Sequence, residues 1–354
     1  MNIGFIIDEW ENLNPSKDST LRMIHECCAR GHNVGILYPY NLTIRDNITY
    51  GFVKVLKKES YALNNFISFH KKMEFDEKMM PINAFDALFL RKDPPVDSIM
   101  LNFLDSVKDE VFIVNDIDGI RKANNKLYTT TFHDPEDEFL PKTYVSKNTE
   151  YLKGIIEKSS EERMILKPLD GYGGSGVIVI EKSASKNLSS LLDFYINGKT
   201  GKHYVIVQEY IPEAENGDVR VMMLNGEPIG AYRRVPSETD NRSNIHAGGT
   251  AEKYKLSNHD LKMCRRIGKK LIQDGLYLVG LDIIAGKLIE VNVQSPGGIV
   301  NINKMSKNKI QKNIIDFVEE KVHEIEDFFN MKEFRLNRRR LFKKEVFNGK
   351  IEDK

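Results

Sequence analysis

The residues Gly171-Tyr172-Gly173-Gly174-Ser175-Gly176 spell G-x-G-x-x-G, and what stands on either side decides which folds that spelling permits. Before the loop, residues 163–169 (RMILKPL) read as a strand; after it, residues 176–182 (GVIVIEK) form a β-branched run, again a strand. A dinucleotide-binding turn requires a helix after its last glycine, because the helix N-terminus meets the pyrophosphate. No helix follows here, which excludes a nicotinamide or flavin site. A glycine loop between two strands is instead a flap whose backbone N–H groups, free of Cβ atoms, approach phosphate oxygens closely. Protein kinases carry such a flap, but neither H-R-D-x-x-x-x-N nor D-F-G occurs in the chain.

The company of the loop points to phosphate and metal. Lys167 precedes Gly171 on the incoming strand, and Lys126 lies in the helical stretch before it, so two cations are at hand to neutralise phosphate charge. Downstream, residues 205–211 (VIVQEYI) set Gln208, Glu209, Tyr210 and Ile211 at a strand-to-loop junction, which offers backbone groups to an adenine edge. Residues 278–293 (LVGLDIIAGKLIEVNV) read as a hairpin turning near Gly286. Side chains two apart on a strand share a face. Glu290 and Asn292 therefore point the same way, and a three-residue turn centred on Gly286 sets Asp282 opposite Glu290. Facing carboxylates repel unless a cation joins them, and oxygen donors without His or Cys select Mg²⁺ or Mn²⁺.

Short apolar runs at 2–8, 33–38, 85–90 and 110–115, separated by helical stretches such as 17–32, predict a parallel α/β layer up to about residue 122. Asp18 or Ser19 caps that first helix and Gly31 stops it. The strands run into Asp8-Glu9, Arg91-Lys92-Asp93 and Asn115-Asp116. Ligands bind beyond the carboxyl ends of such strands, so these groups are expected to form one wall of a site. A second unit has a helix over 120–132, the two strands around the glycine loop and a helix near 188–195. From 206 the chain is β-rich, with a helix at about 257–273 and the hairpin. An amphipathic helix over 309–329 follows, with Ile310, Ile314, Phe317, Val318, Ile325 and Phe328 on one side. The mixed-charge end reads as a helical extension or a loose tail. The chain is thus expected to divide into 1–122, 123–205, 206–330 and a tail, 331–354.

Among the 354 residues, 52 Lys and Arg balance 51 Asp and Glu, so no overall field favours nucleic acid or an anionic membrane. No apolar run approaches the ~20 residues that span a bilayer, and the amino terminus lacks the basic start of a signal peptide. Cys27, Cys28 and Cys264 match neither a zinc nor a disulfide pattern, which fits a reduced, cytoplasmic compartment.

Lys126, Lys167, the glycine loop, the 208–211 junction and the Asp282/Glu290/Asn292 set together resemble the ATP-grasp fold, and within it the chain is similar to the bacterial glutathione synthetases. The closer likeness is carried by KDST (17–20), RKDPPVD (91–97), ND-x-x-GIR-x-AN-x-KL (115–127), KPLDGYGGSGV (167–177), GEPIGAYRRVP (226–236), DNRSNIHAGG (240–249) and GLDII…KLIEVNVQSPGGI (280–299). It runs from residue 1 to about 305. The resemblance implies an α/β chain of mixed α+β character. Its parts would be an N-terminal Rossmann-like parallel-sheet domain that binds substrate, a small lid domain with the flap, and a β-rich catalytic domain.

The activity so implied is an ATP-dependent carboxylate–amine ligase. The carboxylate of γ-glutamylcysteine takes the γ-phosphoryl group of ATP, and the amine of glycine attacks the acyl phosphate. By the same resemblance, ATP is held by Lys126, Lys167, Gly171, Tyr172, Gly173, Gly174, Ser175, Gly176, Gln208, Glu209, Tyr210, Ile211 and Asp218, and Mg²⁺ or Mn²⁺ by Asp282, Glu290 and Asn292. The substrates fall to Asp18, Ser19, Arg91, Lys92, Asp93, Arg233, Ser295, Gly297 and Gly298. Arg220 faces the acyl phosphate and oxyanion. Arg242 and Asn244 come from a closing loop at 234–249 that keeps water out. The resemblance also implies a homo-oligomer with small-molecule substrates and no nucleic-acid or membrane partner.

Two departures stand out. Gly297-Gly298 follow Ser-Pro where the family pattern has a bulkier Thr, and Glu9-Trp10 follow the first strand where it has Asp-Pro. A sister ligase with another donor or acceptor is the nearest alternative. A nucleotide-binding regulator without chemistry is the other, and the intact oxygen set argues against it.

Overall fold

Near-continuous apolar runs make strands buried on both faces, and the first part of the chain is built on four of them. The computed structural model describes residues 1–62, 65–136, 138–171, 175–198, 201–236 and 249–347. Its first unit holds β1 (Asn2–Ile6), α1 (Ser19–Ala29), β2 (Asn33–Leu37), β3 (Leu42–Arg45), β4 (Ile48–Leu56), α2 (Phe66–Lys72), β5 (Phe75–Pro81), β6 (Ala87–Leu90), α3 (Ser98–Asp105), β7 (Phe112–Val114) and α4 (Ile117–Ala123). Strands β2, β1, β6 and β7 are parallel neighbours in that order. Beyond β2 the sheet turns antiparallel, with β4 against β2 and both β3 and β5 against β4. The layer is therefore not parallel throughout, as expected, but extended at one edge. That extension escapes the apolar-run signal because its strands are partly solvated; β5 (FDEKMMP) has no fully buried residue.

The second unit holds β8 (Thr143–Ser146), α5 (Thr149–Lys158), β9 (Arg163–Pro168), β10 (Ile178–Glu181), α6 (Leu188–Ile196), the short β11 (Asn197–Gly198) and β12 (Gly201–Lys202), and β13 (Val205–Glu209). An antiparallel sheet ordered β10-β9-β13-β8 packs Leu166, Val205 and Val207 against Leu152 and Ile156 of α5 and Leu192 and Ile196 of α6. The glycine loop thus joins two antiparallel strands, with Leu166 opposite Ile178. By its hydrogen bonds β13 belongs to this sheet, running past residue 205 to Glu209. The single helix expected over 120–132 is broken. α4 ends at Ala123, and a 3₁₀ turn over Lys126–Thr131 starts afresh under the Asn125 side chain, which caps Leu127 N at 3.0 Å.

The third unit holds β14 (Asp218–Leu224), β15 (Glu227–Val235), β16 (Thr250–Lys253), α7 (Asn258–Gln273), β17 (Leu278–Ile284), β18 (Lys287–Asn292), α8 (Ile299–Ser306) and α9 (Ile310–Phe347). Its sheet is antiparallel, in the order β16-β15-β14-β17-β18. Alternation along β14 sends Val219, Val221 and Met223 into one core with Met263 and Ile267 of α7. Met222 and Leu224 go to the opposite face, into a core shared with α8, α9 and the Leu21 and Ile24 side chains of α1. Arg220 lies on this second face, between the first and third units.

α9 buries Ile310, Ile314, Phe317 and Val318 as its pattern predicts, but Phe328 is 58% exposed, because the helix has by then run past the core. The helix continues through the expected tail to Phe347. No helix among the described residues is long and apolar enough to cross a membrane.

Asn115 and Asp116 do not form the expected site wall. The Asn115 amide donates to Leu278 O (2.8 Å) and Val293 O (2.9 Å) and accepts from Leu278 N (2.7 Å), clamping the first sheet to β17. Asp116 caps α4, accepting from Asp118 N and Gly119 N.

Candidate active site

The hairpin that opposes Asp282 to Glu290 is made differently from the sequence expectation. Ala285 and Gly286 both have positive φ (47° and 77°), so the turn is the two-residue form rather than a three-residue loop. Such a turn alone would pair Asp282 with Ile289. A β-bulge beside Asp282 adds one residue to β18 and brings Glu290 opposite instead. Asn292 then lies opposite Gly280, and across the other edge of β17 Asp282 faces Arg220.

Asp282 is buried and heavily answered. Arg220 grips it through Nε to Oδ1 (2.5 Å) and Nη2 to Oδ2 (3.0 Å). Arg234 Nη2 (3.0 Å) and Asn292 Nδ2 (3.1 Å) also reach Oδ2. Arg234 forks onto Asp218 at 2.6 Å through both Nε and Nη2. Burial alone would raise the Asp282 pKa, but the Arg220 and Arg234 charges outweigh it and hold the carboxyl below its ordinary range. The repulsion expected between Asp282 and Glu290 is thus relieved by side-chain cations, with Lys126 Nζ 3.5 Å from Glu290, and does not by itself require a metal. The donor chemistry nevertheless fits one. Asp282 Oδ1 takes only the Arg220 Nε bond among the described residues, Asn292 turns its amide N–H inward and leaves Oδ1 as an acceptor, and Glu290 stands half-exposed beside them. Three such oxygens suit a hard divalent cation. No cluster of three His, Cys, Asp or Glu side chains occurs among the described residues.

The phosphate end lies next to Glu290. Lys126 Nζ also donates to Gly171 O at the root of the flap. Lys167 is 5% exposed and donates to Gln208 Oε1 (2.8 Å), whose Nε2 donates to Thr143 (2.8 Å). Burial pushes the Lys167 ammonium down to about 8, Glu290 opposing and Lys126 assisting. Glu209 anchors Lys142 N (3.1 Å), the Tyr210 hydroxyl reaches Glu215 (3.0 Å), and Ile211 is buried. Gly171 and Gly176 hold φ of 138° and 72°, which explains glycine there; Ser175 is exposed beside Gly176. Tyr172, Gly173 and Gly174 lie outside the described residues, as do Arg242 and Asn244 of the expected closing loop.

Of the expected substrate residues, Ser19 and Arg91 meet the Ser295–Gly298 turn after β18. Ser295 Oγ donates to Arg91 O (3.1 Å), and Arg91 Nη2 donates to Pro296 O (3.1 Å) while its Nε binds Thr20. Ser19 Oγ accepts from Gly298 N (3.2 Å) and Ile299 N (3.3 Å), capping α8 from another helix. Arg220 Nη1 donates to Gly297 O (3.2 Å). Gly298, at φ 129°, has Tyr232 only 3.0 Å from where a Cβ would sit, so glycine is required; at Gly297 a Cβ would meet open space. Asp18 caps α1 (Leu21 N, 2.6 Å), and its burial raises its pKa against the pull of Arg91. Lys92 pairs with Asp8 (3.1 Å), which also accepts from Asp93 N (2.8 Å).

Arg233 is not among these groups. It stacks on Tyr254 (5.2 Å) on the opposite face, because neighbours on a strand alternate; Arg234 is the arginine that reaches Asp218 and Asp282. The signal for Arg234 was available in the pairing of β14 with β15, which sets it opposite Asp218.

A family model described as the prokaryotic glutathione synthetase N-terminal domain matches residues 1–121, and one described as its ATP-grasp domain matches 125–307. The glutathione synthetase of Agrobacterium fabrum is 32% identical over 330 residues, spanning 92% of this chain and 98% of that one. That of Synechococcus elongatus is 33% identical over 320 residues, spanning 86% and 94%. Among solved structures, D-cycloserine synthetase superposes with TM-score 0.58 at 12% identity, covering 91% of this chain and 99% of that one. An ATP-grasp ligase complexed with a minimal precursor, Mg and ADP gives TM-score 0.59 at 14% identity, covering 91% and 98%. At these identities the two structures speak to the fold, which is ATP-grasp.

Proposed function

The chain belongs to the prokaryotic glutathione synthetase family, and from that premise we propose that it joins the carboxylate of γ-glutamylcysteine to the amine of glycine, converting ATP to ADP and phosphate. It is an ATP-dependent ligase that forms a C–N bond, working with a divalent metal. The observation that carries the substrate reading is Arg220, which touches both ends of the site: Asp282 on the metal side and Gly297 O on the turn shared with Ser19 and Arg91.

On this reading Lys126, Lys167 and the flap hold the phosphates, and residues 208–211 take the adenine edge. Asp218, expected among the ATP-holding groups, is paired with Arg234 and holds that side chain in place. Asp282, Glu290 and Asn292 hold Mg²⁺ or Mn²⁺; when bound, the metal neutralises charge on the transferring phosphoryl group. Asp18, Ser19, Arg91, Lys92, Asp93 and the Ser295–Gly298 turn orient the substrates. A peptide carboxylate oxygen bonds to the γ-phosphorus as the bond to ADP breaks. The amine then bonds to the acyl carbon, loses a proton, and phosphate leaves. Arg220 sets fixed positive charge beside the oxyanion of that second step. The assembly is a homo-oligomer.

ADP release measured by a coupled assay over a panel of acidic peptides and amines tests the substrates. Release should require γ-glutamylcysteine and glycine together. Equal rates with another pair would favour the sister ligase, and no substrate-dependent release would sink the reading.

The two neighbouring arginines give a sharper prediction. Arg234→Ala removes the two-point grip on Asp218 and one of the two cations on Asp282, so kcat/KM should fall at least ~100-fold and stability by about 3 kcal/mol. Arg233→Ala should stay within about threefold in kcat/KM and lose under ~1 kcal/mol. Steady-state kinetics and thermal melts on both variants decide it; equal effects would mean that the face assignment is irrelevant to the chemistry.

A further inference from the structure

Gln294 follows Glu290 and Asn292 at the same two-residue spacing, and all three line one cavity of about 270 Å³. Lys126 and Gly171 line the same cavity, as do Pro94, Pro95 and Val96. Gln294 Oε1 is shielded from solvent and meets no donor among the described residues. An acceptor buried without a donor is destabilising, so a ligand N–H is expected to answer it. The phosphates of ATP bring only acceptors. On the reading above the adenine lies at 208–211, and none of those residues lines this cavity.

We infer that Gln294 Oε1 accepts a hydrogen bond from the acyl-acceptor amine and orients it for attack. This rests on the ligase reading and names the subsite that takes its second substrate, a small primary amine. The chemistry of the group suits the task. A carboxylate at this position would favour the ammonium form, which has no lone pair to attack with. A neutral amide oxygen fixes the direction of an N–H without holding the extra proton. The position suits it too, because Gln294 leads from the oxygen set at Glu290 and Asn292 into the Ser295–Gly298 turn that Arg220 contacts.

The test uses the full-length chain with Gln294→Met and Gln294→Glu, supplied with ATP, γ-glutamylcysteine and either glycine or hydroxylamine. Hydroxylamine traps the acyl phosphate as a hydroxamate and so reports activation of the donor apart from the glycine subsite. Gln294→Met should raise KM for glycine about tenfold, the scale of one lost hydrogen bond, with KM for ATP and the dipeptide moving less than about twofold. The ratio of kcat/KM for glycine to that for hydroxylamine should fall about tenfold with it. Gln294→Glu should move the acid limb of kcat/KM for glycine to higher pH, and it provides the readout if the methionine variant folds poorly. An unchanged glycine KM, or a rise in the dipeptide KM in its place, overturns the assignment. Absence of hydroxamate from the unaltered chain overturns the ligase reading itself, and the assignment with it.

Discussion

Asp282→Asn should abolish ligation and weaken the fold together, whereas Glu290→Gln should abolish ligation alone. Both remove a carboxylate from the oxygen set, and losing a group that neutralises the transferring phosphoryl charge is expected to lower kcat by ~1,000-fold or more. Their structural duties differ. Asp282 is buried and neutralises Arg220 and Arg234; without its charge, Arg234 keeps Asp218, whereas the buried Arg220 loses the carboxylate it pairs with. Breaking a buried pair by removing one partner typically costs about 3–5 kcal/mol. The Glu290 side chain is 32% exposed and sits 3.5 Å from Lys126, so its neutralisation should change stability by under ~1 kcal/mol. ADP release and urea unfolding measured on both variants check this. If Asp282→Asn unfolds at the same urea concentration as the unaltered chain, the Arg220–Asp282–Arg234 network is not a structural hub; if Glu290→Gln keeps a tenth of the activity, Glu290 is not in the oxygen set.

What the sequence reveals of this molecule follows from how local each signal is. The parallel strands, the β9–β10 strand pair and the β17–β18 hairpin are legible because buried strands announce themselves as apolar runs and two-fold alternation is a backbone property. The β3–β5 extension is not, because a half-solvated strand such as FDEKMMP mixes charge with its apolar residues. Phe328 fails for a related reason: helical spacing says which residues share a face, not where the neighbouring core ends.

At the site, side-chain type and spacing locate Asp282, Glu290, Asn292, Lys126 and Lys167, but partners depend on tertiary pairing. Glu290 faces Asp282 only because a bulge compensates for a shorter turn, and both features hang on backbone geometry at Ala285 and Ile289. Arg233 and Arg234 are adjacent in sequence and identical in chemistry, so composition cannot rank them; the strand register does. Ser19 illustrates the longest reach of all. It reads as the start of α1, yet its hydroxyl serves the first residues of α8, 279 residues away at Gly298.

Lys167 carries the second large expectation, and its sign can be worked out in both directions. Burial lowers its pKa to about 8, against the ordinary lysine value of 10.5. Bound phosphates favour the ammonium form, so above that pKa nucleotide binding must take up a proton. Affinity for ATP should therefore be nearly level below pH 7.5 and weaken up to roughly eightfold by pH 9. Stability of the unliganded chain moves the other way. The folded state releases the Lys167 proton near pH 8 and the unfolded chain only near 10.5, so between those values the unfolded state binds more protons and this group's contribution to stability rises with pH. Lys167→Arg keeps a charge that does not titrate in this range, and its ATP affinity should lose the pH dependence. Lys167→Met removes charge and buried ammonium together. It should weaken ATP binding by ~100-fold while melting at or above the unaltered chain near pH 7, where the charged ammonium is most costly to bury. Isothermal titration with ATP across pH 7–9.5, paired with melts of the same three proteins, separates the two signs. A pH-independent affinity in the unaltered chain would show that Lys167 stays charged throughout, and that Glu290 outweighs the desolvation that burial imposes.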